Sequence, residues 1–333
     1  MLGRMKRREF LSLAAGAAAW PLAARGEPPI RKVGVLAGLS AGPEVPGAQA
    51  FLNPFRAAMR EAGWIEGENV RIDYRFGGAL SDLSKTRTSA AELIALSPDV
   101  IYAQGLPASI ALRAETNTIP IVFTQVIDPV GFKLADSLGH PGGNVTGFIV
   151  WDFEIAGKWL QLLHEMVPGL KRAGILFNPD TAPYAPGLVA AAKDAAQGAE
   201  IVELRCHDDA EIDAALDVLA GMPGSGVLVI PEPFANGHRD HIIASLARAR
   251  LPAMVPLLGA MEAGALMSYT FVWDELMRAP VGYIDRILKG VAPQDLPIQA
   301  PQRYELVIDL KTARQLGLDV PPALLARADR VIE

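Results

Sequence analysis

A single cysteine, Cys206, stands among the 333 residues, so no internal disulfide can form even in an oxidising compartment. Basic residues are also in deficit, 31 against 37 acidic ones, which leaves no electrostatic footprint for nucleic acid. No apolar run reaches the roughly 20 residues that a membrane-spanning helix needs. Cys-x-x-Cys, His-Glu-x-x-His, Gly-x-Gly-x-x-Gly and P-loop patterns are all missing, so no cofactor is expected and cofactor chemistry has no visible handle. Half the residues are hydrophobic and only 20% are charged, as expected of a packed globular chain and not of a disordered one.

The first 26 residues read as a cleaved export signal. Arg4, Lys6, Arg7 and Arg8 precede an apolar stretch from Phe10 to Leu22, and small residues follow around Ala24-Arg25-Gly26. Arg7-Arg8-Glu9-Phe10-Leu11 resembles a twin-arginine signal, so export by that route or the general secretory one is expected. Without the leader the counts become 26 basic and 36 acidic residues, a formal charge of −10. No cysteine follows the leader to carry a lipid, and the expected product is a soluble periplasmic monomer.

From Arg31 onward, short β-branched runs alternate with helical patterns: strand 33–36, helix 51–62, strand 70–74, helix 83–96, strand 100–102, helix 108–115, strand 119–123. Strands that read as continuous apolar runs argue for a parallel sheet covered on both faces. The Pro/Gly-rich passage from His140 to Gly147 interrupts the rhythm and reads as a crossover. A second βα series then runs from Glu154 to Val255. The expected fold class is α/β, two doubly wound parallel-sheet lobes with a ligand cleft at the carboxyl ends of the strands. The tail, with a strand at 265–269, a helix at 274–288 and a strand at 302–308, does not fit a simple division in two.

Several blocks together carry a family resemblance: Glu61-Ala62-Gly63-Trp64-Ile65-Glu66-Gly67, Thr118 to Phe123, Asp128-Pro129-Val130-Gly131, Pro141 to Gly147, Gly264 to Tyr269, Tyr283 to Gly290 and Tyr304 to Lys311. Nearly all of the mature chain resembles ABC-transporter substrate-binding proteins of the tryptophan/tyrosine type. The resemblance implies a type I periplasmic-binding fold with three hinge crossings, lobe one being 30–145 plus 265–297 and lobe two 146–264 plus 298–333. It implies capture of a small-molecule ligand, an amino acid or related carboxylate, for delivery to an ABC permease. A sensor subunit feeding a signalling receptor is the alternative. Two departures stand out: Thr270-Phe271 adds bulk where relatives often carry Gly, and Pro280 sits in an otherwise helical stretch, where it should bend the axis.

In such an architecture the loops just past each strand supply the site. Lobe one offers Leu39 and Ser40, then Gln104, Gly105 and Ser109, where a helix amino end could take a carboxylate without an arginine. Asp128 is either a ligand contact or a cap preceding Pro129. Lobe two offers Tyr184, Glu232 and Phe234, and Tyr184, Phe234 and Tyr269 could sandwich a flat ligand. No enzyme is expected. Gly38-Leu39-Ser40-Ala41-Gly42 matches Gly-x-Ser-x-Gly, but Pro43, Pro46 and Gly47 intervene where a nucleophile elbow would turn straight into a helix. His238 and His241 are close enough to share a metal, with His207 or Asp208 a conceivable third ligand, but read more simply as solvated surface groups; no metal is expected.

Overall fold

In the computed structural model, the described residues are 29–38, 42–44, 46–77 and 83–333. The expected leader and the candidates Leu39 and Ser40 lie outside them.

Five strands, β1 (Arg31–Ala37), β2 (Val70–Phe76), β3 (Val100–Gln104), β4 (Ile121–Val126) and β5 (Val145–Ile149), form an all-parallel sheet in the order β2-β1-β3-β4-β5. The helices α1 (Pro46–Glu61), α2 (Leu83–Ala95) and α3 (Gly105–Glu115) connect the first four strands. All five residues of β3 and of β5 are buried, which is why these strands lack alternation in the sequence. Val33, Val35, Tyr102 and Val122 pack with Phe51 and Phe55 of α1 on one face. Leu36, Ile101, Ile121 and Phe123 pack with Leu93 and Leu112 on the other.

The second sheet has seven strands in the order β12-β11-β10-β9-β8-β6-β7. Its parallel part comprises β6 (Arg172–Phe177), β7 (Glu200–Arg205), β8 (Ser225–Val229), β9 (Ala253–Met254) and β10 (Met267–Phe271). The helix α4 (Ile155–Met166) precedes β6, and α5 (Ala185–Asp194), α6 (Asp209–Ala220), α7 (Pro233–Gly237) and α8 (Arg239–Ala249) lie between the strands in the chain. β11 (Tyr304–Asp309) runs antiparallel to β10, and β12 (Arg330–Ile332) parallel to β11.

Helices α9 (Trp273–Arg278) and α10 (Pro280–Leu288) leave this sheet and pack on the first one, α9 against α1 and α10 against β3, β4 and β5. Long-range bonds tie them there: the Trp273 indole donates to Ala50 O at 3.0 Å and the Trp64 indole to Asp285 Oδ1 at 3.0 Å. The chain then returns through Gln299, bridged to Phe148, to β11, α11 (Leu310–Leu316) and α12 (Pro322–Leu325). It thus passes between the sheets three times, near 150–152, 272 and 300–303.

Three expectations need correction. The passage from His140 to Gly147, expected to be a crossover, instead leads into Val145–Ile149, the fifth strand of the first sheet, so lobe one extends past residue 145. The strand expected in lobe one at 265–269 is β10, which pairs with β9 and β11 in the second sheet. An apolar run shows that a strand is buried but not beside which neighbour, and nothing local distinguishes the two sheets. Pro280 does not bend a helix: it starts α10, where its missing N–H breaks no helical bond, and one expected helix is therefore two.

Candidate functional site

The connectivity orients the cleft. β5 ends at Ile149 and leads directly into the first crossing, so the carboxyl edge of the five-stranded parallel sheet faces the hinge. β10 ends at Phe271 and leads into the second crossing, so the carboxyl edge of the parallel part of the other sheet faces the same hinge. Both edges border one cleft, where open parallel sheets expose loop backbone and helix amino ends.

On the lobe-one edge, β3 runs into α3 with no intervening loop. Gly105, at φ +81°, makes the turn, a conformation that a residue with a Cβ adopts only under strain. Gln104 occupies the N-cap position but its side chain does not cap, so the first N–H groups of α3 have no side-chain cap. Gln104 instead donates from Nε2 to Gln125 Oε1 at 2.8 Å. Ser109 is fully buried, and its hydroxyl donates to Gly105 O at 2.8 Å, so its hydrogen is engaged inside the helix. Asp128, at φ +53°, accepts from Gly131 N at 2.8 Å. Of the two readings left open for it, this is the capping one, in a turn instead of a helix.

On the lobe-two edge, Glu232 is a cap. Its Oε2 accepts from Thr181 Oγ1 at 2.5 Å and from Phe234 N at 2.7 Å, and its Oε1 from Ala235 N at 2.8 Å. It is 2% exposed. Burial pushes its carboxyl above the usual range, and these bonds offset part of the rise. Tyr184 donates to Pro231 O at 2.9 Å, joining the loop after β6 to the loop after β8. Burial, with the Glu232 charge nearby, pushes its phenol far above the ordinary value.

Each of the candidate rings Phe234 and Tyr269 has an aromatic neighbour within its own lobe. Phe234 lies 4.2 Å from the His238 ring, and Tyr269 stacks on Tyr304 at 5.4 Å. Among the described residues no ring pair joins any two of Tyr184, Phe234 and Tyr269. An aromatic ring carries no sequence signal of which neighbour it will stack on. The hinge holds further aromatic residues, of which the sequence singled out only Phe271: Trp151 meets Trp159 edge-on at 5.5 Å and Phe271 at 5.8 Å, and Phe271 stacks on Trp273. The Trp159 indole donates to Tyr269 O at 2.7 Å.

The histidine group lies elsewhere in lobe two. His238 Nδ1 is 2.6 Å from Asp209 Oδ1, and His241 Nε2 is 3.0 Å from Asp213 Oδ1. Among the described residues no three His, Cys, Asp or Glu side chains are arranged to hold a metal ion. Ser245 donates to Asp213 Oδ1 at 2.5 Å, so the carboxylate and not the imidazole takes the serine proton, unlike a nucleophilic triad. Cys206 is buried just past β7. Asn144 is a buried strut whose amide donates to Ile119 O at 2.6 Å. Among the described residues no helix is long and apolar enough to cross a membrane.

A family profile described as ABC transporter substrate binding protein matches residues 32–332. A curated relative, a tyrosine-binding protein of Clostridioides difficile (strain R20291), is 27% identical over 284 residues, covering 84% of this chain and 80% of the relative. Among solved structures, a conserved domain protein from Vibrio cholerae superposes with a TM-score of 0.79 at 29% identity, over 91% of this chain and 99% of that one. A Streptococcus pneumonia ABC domain in complex with L-Trp gives a TM-score of 0.77 at 24% identity, with the same coverage. The profile match runs from β1 to β12 through both sheets and all three crossings: this chain belongs to the ABC transporter substrate-binding protein family and has the type I periplasmic-binding fold.

Proposed function

We propose that the protein is the periplasmic solute-capturing component of an ABC importer, which holds an amino acid between its lobes and delivers it unchanged to a permease. The observation that carries this reading is the convergence of two parallel-sheet carboxyl edges on one hinge, with the uncapped amino end of α3 on one side. The ligand's carboxylate meets that amino end, where backbone N–H groups and the helix dipole favour negative charge. Contacts from both lobes at once exist only in the closed form, so binding energy biases the hinge toward closure. Aromatic amino acids are the first candidates, in line with a tyrosine-binding relative and a neighbour solved with L-Trp. The lobes divide close to 30–150 plus 272–300 and 151–271 plus 301–333.

A thermal-shift screen against amino acids, aromatic acids and small amides tests this. A ligand at 100 times its Kd stabilises the folded state by about 2.7 kcal/mol. Aromatic amino acids should raise the melting temperature. A flat response to them beside a clear shift by another class would overturn the ligand assignment, and recovery of a chemically altered ligand would overturn capture without turnover.

A further inference from the structure

The second lobe holds a cavity at the edge of its sheet that faces away from the cleft. Protein interiors pack with few voids larger than a water molecule, yet about 360 Å³ lies between α8, α11 and the segments leading into β9 and β10. The topology explains it. β9 is two residues long and meets β10 only at the Met254–Met267 pair, so the chain ahead of each strand, at 250–252 and 264–266, is not drawn together into a ladder. α11 flanks the gap because β11 runs antiparallel to β10 and delivers it to the amino edge. The cleft borders the other end of β10, five residues or about 16 Å away.

The lining has two parts. Ile243 and Leu246 of α8, with Leu251, Val255 and Leu266, are buried and give aliphatic walls. Arg250, Thr312 and Gln315 stand at the rim, and neither an aromatic nor an acidic side chain lines the space, although acidic residues outnumber basic ones in the chain. Arg250 is exposed and takes φ +53° at the end of α8, a position where glycine is the usual residue. Its guanidinium donates to Gln315 O at 3.2 Å and, among the described residues, meets no carboxylate. A guanidinium carries five N–H donors, so most of them remain for a bidentate acceptor. The carbonyls that end the two helices are already engaged, those of α8 by Arg250 N and those of α11 by Gly317 N and the Arg250 guanidinium. The volume is at the small end of ligand sites, which run about 300–1,000 Å³.

We propose that this cavity is a second small-molecule site, separate from the cleft, which takes an aliphatic carboxylate with its chain against Ile243, Leu246 and Leu251 and its head on Arg250. The hydrocarbon is removed from water along the buried walls, while the charged head stays at the exposed rim and avoids the cost of burying an ion. The site does not depend on what the cleft binds.

Isothermal titration of the full chain with octanoate and with 1-octanol tests it, in the wild type, Arg250→Gly and Ala247→Trp. Ala247 is exposed and lines the cavity from α8, so a tryptophan there covers the opening without entering the core. Wild type should bind octanoate saturably and octanol at least about tenfold more weakly. Arg250→Gly should weaken octanoate at least about tenfold, leave octanol unchanged and keep the ligand-free melting temperature, because glycine adopts φ +53° without strain. Ala247→Trp should abolish the binding of both, and it decides the matter alone if Arg250→Gly melts early. Octanoate that fails to bind wild type, or that binds all three proteins equally as binding in the cleft would, overturns the site. Equal wild-type affinity for octanoate and octanol overturns the role given to Arg250 and with it the carboxylate.

Discussion

Replacing Glu232 by alanine separates a structural role from ligand contact on the lobe-two edge. The carboxylate is 2% exposed and accepts three hydrogen bonds, from Thr181 Oγ1, Phe234 N and Ala235 N. The two N–H groups are the first free donors of α7, and Ala235 is fully buried. Losing an N-cap costs about 1 kcal/mol, and leaving a buried donor unmatched costs about 1–3 kcal/mol more. The buried charge works the other way, because a carboxyl held above its usual range is easier to lose than an unperturbed one. The balance is a destabilisation of about 2–3 kcal/mol, or roughly 4–12 °C in melting temperature for a lobe of this size. Circular dichroism melts near pH 7 measure it. Because the native pKa is raised, the wild type loses stability as pH climbs from the ordinary glutamate value through the native one, and Glu232→Gln should flatten that part of the profile. An unchanged melting temperature in Glu232→Ala together with lost ligand binding would refute the capping account.

A Cβ on Gly147 would lie 2.2 Å from Phe123 O, so Gly147→Ala should force β4 and β5 apart and cost about 3 kcal/mol, read as a lower denaturant midpoint. Ser245 and then Arg248 hold the Asp213 carboxyl down at about 2, so it stabilises the fold above the ordinary aspartate range and loses that contribution as pH falls toward 2. The stability gap between wild type and Asp213→Asn should therefore be full at pH 5 and close in acid; a gap independent of pH would contradict this. Burial first, then Glu211 and Asp208, pushes the Cys206 thiol up to about 11. A thiol reagent at pH 8 should leave the folded protein untouched and label one equivalent after unfolding, whereas prompt native labelling would show the side chain to be accessible.

The alternation of apolar strands and helices was readable because each element buries a face as it forms, and that burial writes its period into the residues. Gly105 could be singled out because Gln104-Gly105-Leu106-Pro107 joins a strand to a helix in four residues. Glu232 and Asp128 were readable as polar residues next to proline, but the atoms they bind are settled by loops that only the folded chain brings near. Gln125 carries no signal at all: its left-handed backbone goes with a register shift of β4 against β5, twenty residues away.

What the sequence by itself determined is the local grammar, buried parallel strands, helices between them and carboxyl-end loops rich in Gly, Pro and small polar residues, together with the blocks that betray the family. What only the tertiary structure decided is membership: that Met267–Phe271 joins the second sheet while Trp273–Leu288 packs on the first, and that Val145–Ile149 is a strand. Hydrophobic burial is non-directional and registers how deeply a segment is covered, whereas strand pairing and ring stacking depend on partners distant in the chain.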